Sequence, residues 1–292
     1  MTTLADDRLL HTAFYRFVPL AEPDAVAAWL RALAAALQGS VIVAPEGING
    51  VLAGPAAAVT AFEQALQAAP PFGALFAGIA FKRSHCTTPP FGRLKVQRKR
   101  ALVSLGWDAA EPAPAVPSEP GPDNHVSPAE WRRLIAEPGV VVLDNRNGFE
   151  YRLGHFEGAV NPEVSHFRSF PDYVRAQAPA WRAAGARVAM YCTGGIRCDR
   201  TSAWMQAQGL AVYQLDGGIL NYFQALPDAE RDWQGECFVF DNRIALDTRL
   251  EETGTTPEQV FAGEPDAAWR IARARRLAAA VKRDGDSVED AE

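Results

Sequence analysis

The part of this sequence best equipped for chemistry is Tyr191-Cys192-Thr193-Gly194-Gly195-Ile196-Arg197-Cys198. The apolar run over residues 187–191 predicts a buried strand before it. Residues 199–208 predict a helix after it, opened by Asp199 and closed near Gly209. A cysteine between a strand end and a helix N-terminus faces unpaired backbone N–H groups and the positive end of the helix dipole, and both favour an anion. The same field draws a thiol below its free pKa of roughly 8.5. Gly194 and Gly195 let the loop curl so that successive N–H groups point inward, and Arg197 adds a fixed cation. The chemistry expected is nucleophilic. Cys192 would be the thiolate, with Thr193, Gly194, Gly195, Ile196 and Arg197 as the loop that binds an anion or substrate. Cys198 is either a resolving thiol or a packed helix residue. The plain alternative for the whole octapeptide is a tight turn that buries a cysteine.

Holding such a loop requires a parallel sheet, and residues 124–235 read that way. Ser127-Pro128 starts a helix carrying Trp131, Leu134 and Ile135, with serine as the cap and proline in the first turn. Residues 140–143 are a continuous apolar strand of the kind buried in parallel sheets. Asp144-Asn145-Arg146 follows, then a short helix from Phe149-Glu150-Tyr151. A helix over 174–184, the strand ending at Tyr191, a helix over 201–208, a strand over 212–215 and a helix over 220–225 complete the alternation. Ligands of such sheets lie beyond the C-terminal strand ends. Asp144 and Cys192 both fall there, so Asp144 and Arg146 are candidate supporting residues that orient the loop, bind substrate or form a structural ion pair.

Residues 1–107 read as a separate α+β domain. Strands are expected over 11–20, 41–44, 48–53 and 81–84, and helices over 24–37 and 57–68. The order β-α-β-β-α-β is that of a ferredoxin-like sandwich. The segment 82–100 then carries Lys82, Arg83, Arg93, Lys95, Arg98, Lys99 and Arg100 and no acid. These seven are candidate RNA contacts, with Phe91 available to stack on a base; the alternative is a solvated basic loop. Pro89-Pro90 and Gly92 mark the segment as loop rather than helix. His85 and Cys86 are adjacent, a poor arrangement for gripping one metal, and no metal site is expected. Five prolines within 108–123 predict a semi-rigid linker. Residues 236–292 form a C-terminal extension with a basic helix over 265–283 and an acidic end.

Composition sets outer limits. The chain has 292 residues, 48% of them hydrophobic and 22% charged, with a net charge of −6, as in an ordinary soluble globular protein. The acidic balance argues against indiscriminate nucleic-acid binding. No apolar run approaches the roughly 20 residues of a membrane-spanning helix. The first ten residues carry two acids and lack a signal-peptide pattern. Four irregularly spaced cysteines do not make a disulfide framework, which points to a reducing cytoplasm.

The motifs Leu143-Asp144-Asn145-Arg146, Glu150-Tyr151, Gly154-His155, Gly158-Ala159-Val160-Asn161 and Asp216-Gly217-Gly218, taken with the cysteine loop, resemble a rhodanese domain. The loop from Cys192 to Arg197 has the sulfurtransferase length and is one residue shorter than that of the phosphatases of this fold. The ferredoxin-like domain, the octapeptide and Cys237-Phe238-Val239-Phe240-Asp241 extend the resemblance, over about residues 11–243, to the rhodanese-like tRNA uridine hydroxylases. This resemblance implies oxygen-dependent 5-hydroxylation of uridine 34, the wobble position of tRNA. It also implies tRNA as partner and molecular oxygen as co-substrate. No cofactor pattern is evident, since G-x-G-x-x-G and an iron-binding facial triad are both missing. Many members carry a cysteine-rich C-terminal extension, whereas residues 244–292 here contain no cysteine, so metal binding there is not expected. His155 is expected to be a hydrogen-bonded turn residue and Cys237 a core residue. Two other functions fit parts of the sequence: a sulfurtransferase carrying a persulfide on Cys192, and a non-catalytic RNA-binding module built on the basic segment.

Overall fold

The computed structural model describes residues 8–106 and 124–289. The linker expected over 108–123 lies outside them, as does the end of the acidic tail from residue 290. The chain divides into two compact units, Met1–Leu102 with Phe240–Arg243 and Ala268–Glu292, and Val103–Val239 with Ile244–Ala267. Residues 236–292, expected as one extension, are therefore shared between the two units.

The first unit contains β1 (Leu9–Phe17), α1 (Pro23–Leu33), β2 (Gln38–Ala44), β3 (Gly47–Gly54), α2 (Ala56–Ala68), β4 (Phe81–Cys86) and β5 (Leu94–Arg98). Its sheet has the order β4-β1-β3-β2-β5, antiparallel except for the β2–β5 pair. The first four strands are those of the ferredoxin-like order. The fifth overturns the reading of 82–100 as loop: Leu94 and Val96 pack on the core while Lys95 and Gln97 alternate with them. Prolines and glycine at 89–92 masked that short period-two signal. Apolar residues at helical spacing on α1 and α2 (Val26, Leu30, Val59, Phe62 and Leu66) close one face of the sheet over Phe14, Val41, Val43, Ile48 and Leu52. Helix α1 stops at Leu33 rather than near residue 37, though Leu37 is still buried.

The second unit begins with β6 (His125–Val126), α3 (Pro128–Ile135), β7 (Val140–Asp144), α4 (Gly148–Leu153), β8 (Gly154–Phe156) and α5 (Phe170–Ala183). It continues through β9 (Arg187–Tyr191), α6 (Ile196–Ala207), β10 (Ala211–Leu215), α7 (Gly218–Ala225), β11 (Trp233–Gly235), β12 (Cys237–Phe238), β13 (Ala245–Leu246) and α8 (Pro257–Val260). Its main sheet is parallel, in the order β6-β10-β9-β7. Alternation along β9 assigns each residue a side. Val188 and Met190 pack with Val174, Trp204 and Met205 of α5 and α6, whereas Ala189 and Tyr191 pack with Trp131, Ile219 and Tyr222 of α3 and α7. Burial on both faces explains the unbroken apolar runs in the sequence. Ser127 caps α3, its side chain accepting from Glu130 N–H while the Glu130 carboxylate accepts from Ser127 N–H. The last helix, α9 (Ala267–Glu289), belongs to the first unit from Ala268 on and runs past the expected end at residue 283. Among the described residues no helix is long and apolar enough to cross a membrane.

Candidate active site

The site forms where β9 ends and α6 begins. Helix α6 starts at Ile196, three residues earlier than the acid at 199 suggested, so Arg197 and Cys198 belong to its first turn. Gly195 precedes it with φ of 98°, a conformation open to glycine and strained for other residues. Its N–H donates to Cys192 Sγ at 3.1 Å. The loop is also held from behind. The N–H groups of Ile219 and Leu220 in α7 donate to the carbonyls of Cys192 and Thr193 at 3.0 and 3.1 Å. This close approach needs Gly218, where an added Cβ would lie 2.4 Å from the Cys192 carbonyl oxygen and under 3 Å from two loop nitrogens. Cys192 itself is 1% exposed, while Thr193, Gly194 and Ile196 are half-exposed. A Cβ on Gly194 would meet nothing within 4 Å, so the loop opens to space there.

Burial by itself would raise the Cys192 pKa. It is outweighed by a hydrogen bond from the Cys198 thiol, the positive charge of Arg197 and the N–H groups of Cys198 and Arg197, which bring the thiol down to about 5. Cys198 moves the opposite way: burial and the neighbouring Cys192 anion hold it well above the usual thiol range. These opposite directions favour a thiolate at Cys192 and a protonated thiol at Cys198, which then serves as a donor to that thiolate. Asn145 supports it from β7's end, donating through Nδ2 to Thr201 Oγ1 at 2.9 Å and reaching Cys198 Sγ at 3.6 Å.

Arg197 is shared between two anions. Its guanidinium donates two hydrogen bonds of 2.8 Å to the carboxylate of Glu150, and one of 3.2 Å to Thr193 Oγ1. Glu150 is fully buried and also accepts from Asn147 N–H and Nδ2 at 3.1 and 2.9 Å. Burial pushes the Glu150 carboxyl up, but Arg197 and these donors keep it below the usual carboxylate range. With Glu150 taking up half of the guanidinium, the loop amides and Cys198 must supply the rest of the thiolate's stabilisation. Glu150 was not singled out as a site residue from sequence. The signal was present, since Asn147 followed three residues later by Glu150 is a helix-start spacing.

Asp144 and Arg146 are fully buried and paired with each other. Arg146 donates to both Asp144 oxygens at 2.8 and 2.6 Å and to the Gly154 carbonyl at 2.6 Å, and the Tyr191 hydroxyl donates to Asp144 at 2.7 Å. Of the roles left open for them, contact with substrate is removed by this burial. They fix the adjoining ends of β7 and β9, where Asp144 and Tyr191 are register partners. His155 donates through Nδ1–H to the Tyr151 carbonyl at 2.9 Å and stacks on that ring; it is hydrogen-bonded as expected, but within strand β8 rather than in a turn. Cys237 is fully buried, and burial pushes its thiol up to about 12. Among the described residues no group of three His, Cys, Asp or Glu is placed to hold a metal ion.

The seven basic candidates lie in the first unit, and alternation on the strands sorts them. Arg83 is bonded to buried Glu63 of α2, and Arg98 to Asp24 of α1 at 2.8 Å, both on the helix-covered side. Lys82 lies over the Tyr15 ring at 4.9 Å, and Arg93, Lys95, Lys99 and Arg100 are exposed.

Comparison with known proteins agrees with both halves of this architecture. A family profile described as "UPF0176 acylphosphatase like domain" matches residues 9–102, and one described as "Rhodanese-like domain" matches residues 127–225. A protein of Synechococcus elongatus named tRNA uridine(34) hydroxylase is 45% identical over 82% of this chain and 85% of its own. Proteins of the same name from Jannaschia sp. and Bradyrhizobium diazoefficiens are each 44% identical over 82% of this chain, covering 76% and 92% of theirs.

Proposed function

The chain belongs to the family of the tRNA uridine(34) hydroxylases, and from that premise we propose that it adds a hydroxyl group to C5 of the wobble uridine of tRNA, in the cytoplasm, with molecular oxygen as co-substrate and Cys192 as the nucleophile. The observation that carries the role of Cys192 is the placing of its Sγ between the end of β9 and the start of α6, where it accepts from Gly195 N–H at 3.1 Å and where Cys198, Arg197 and the loop amides draw the thiol down to about 5. In the proposed sequence the Cys192 thiolate attacks C6 of uracil, and the C5–C6 π electrons move to C5 and O4 as an enolate. C5 then takes up oxygen from the activated co-substrate. Loss of the C5 proton and cleavage of the Sγ–C6 bond restore the ring and the thiolate. Balance requires a two-electron donor from outside the chain, so that the second oxygen atom leaves as water. The loop amides and Arg197 stabilise the leaving thiolate as they do the attacking one, while Cys192 is neutral as the thioether in between and the C5 proton passes to water.

Mass spectrometry of nucleosides from a strain lacking the gene tests this reading. 5-Hydroxyuridine and its derivatives at position 34 should fall by tenfold or more and return when the wild-type gene is restored. An unchanged nucleoside profile would contradict it.

A further inference from the structure

Helix α9 has two unlike faces. Ile271, Ala274 and Val281 are half-buried, and Val281 lines a cavity of about 310 Å³ together with Leu9, Ala36 and Gln38 of the first unit. That is the side by which the helix docks. Trp269, Arg273 and Arg276, at positions i, i+4 and i+7, share the opposite side, and all three are exposed. Trp269 is 56% exposed, whereas Trp131, Trp181, Trp204 and Trp233 are buried. The Arg273 guanidinium lies over its ring, 5.6 Å from the centroid. The charge on this helix is of one sign. From residue 267 to residue 283 the sequence carries six arginines and lysines and no aspartate or glutamate, in a chain of net charge −6. Arg270 and Arg275 already have partners within the protein, while Arg273 and Arg276 are the two that share the outer face with the indole. Three residues apart, they repel each other, and no acid lies one turn away on the helix to offset this.

We propose that the outer face of α9 binds tRNA, with backbone phosphates on Arg273 and Arg276 and an unpaired base on the Trp269 indole. The inference rests on tRNA being the substrate and gives it a contact on the first unit. A polyanion relieves the repulsion between the two guanidinium groups, whose planar forks match phosphate oxygens. An exposed indole offers a base a stacking surface, and only an unpaired base, from a loop or an end of the tRNA, is free to use it. At 1.5 Å per residue the stripe from Trp269 to Arg276 runs about 10 Å, the length of about three nucleotides of stacked strand. A helix that lies on an anionic membrane needs instead a broad apolar face beside its cations. Here Ile271 and Val281 are turned toward the protein, and the exposed apolar side chains Trp269 and Leu277 have Arg273 between them, one turn from each.

Binding of fluorescently labelled, unmodified tRNA with uridine at position 34 to the full chain tests the proposal. Trp269→Ala and Arg276→Glu should each weaken binding about tenfold, and Trp269→Phe, which keeps a ring, should stay within about threefold of wild type. Arg276→Glu should also flatten the dependence of log affinity on log salt by about 0.7 or more, the slope of one single-strand phosphate contact. Arg133→Glu makes the same change of charge at an exposed position on α3 and should bind within about twofold of wild type. Thermal melting of each variant establishes that it is folded, as substitutions on an exposed helix face should allow. Wild-type affinity in either Trp269→Ala or Arg276→Glu, or an equal loss in Arg133→Glu, would overturn the assignment while leaving the enzymatic reading intact. So would variants that keep their tRNA affinity but lose binding of the chain to phosphatidylglycerol vesicles, which would give the face to a membrane surface. Failure of the wild-type chain to bind tRNA at all would overturn both.

Discussion

In a strain whose only copy of this gene encodes Cys192→Ala, 5-hydroxyuridine at position 34 should fall to the level of the deletion strain, a loss of at least about a thousandfold in turnover. The substitution removes one sulfur from a loop whose carbonyls are bonded to α7 amides and whose start is tied to β9, so the fold should survive it. Cys198→Ala should behave differently. It removes the S–H that the thiolate accepts, so the Cys192 pKa rises and turnover falls most at low pH. Raising the pH restores the thiolate and should restore most of the turnover. A resolving thiol would instead be needed at every pH. Measuring turnover of both variants between pH 6 and about 9 separates the two roles of Cys198.

The second large effect is on stability. Asp144→Ala leaves the Arg146 guanidinium fully buried with its carboxylate partner gone, and removes the acceptor of the Tyr191 hydroxyl. Breaking a buried pair by deleting one partner costs about 3–5 kcal/mol, because the remaining charge stays desolvated. Against a domain stability of roughly 5–15 kcal/mol, this should bring the second unit close to unfolding. Denaturant titration, followed by the fluorescence of Trp131 and Trp233 in that core, should show a large fall in midpoint. A midpoint within about 0.5 kcal/mol of wild type would show that Arg146 finds other partners.

Much of the second unit was legible because its strands are unbroken apolar runs and its turns carry glycine or a capping serine. Strands 140–144, 187–191 and 211–215 lie within a residue or so of where the pattern put them. The curl of the cysteine loop before a helix was readable from its two glycines. Its outer supports were harder to see. Glu150 is an acid at a helix start, indistinguishable in sequence from a solvated cap, and only its burial against Arg197 makes it part of the site. Gly218 was legible only as part of the Asp216-Gly217-Gly218 motif, and its demand comes from the neighbouring cysteine loop, more than twenty residues earlier in the chain. In the first unit, β5 escaped notice because five residues give a weak alternation beside two prolines, and its pairing with β2 is a long-range event. Charge alone could not sort the basic segment. The pleat does so, by turning alternate side chains to opposite faces.

The pH dependence of Cys192 reactivity bears on all of this. A folded-state pKa below the unfolded one means that the thiolate's contacts stabilise the fold fully above about pH 9, and that this contribution is lost as pH falls through about 5. The most direct measurement is the rate of Cys192 alkylation by iodoacetamide as a function of pH, read by mass spectrometry of the peptide containing it. The account predicts a half-maximal rate near pH 5 and a plateau through neutrality, with Cys198 and Cys237 unmodified. A rate that stays low through pH 7 and rises only around pH 9 would show an ordinary protonated thiol at neutral pH, and would contradict the claim that this loop holds a nucleophile ready.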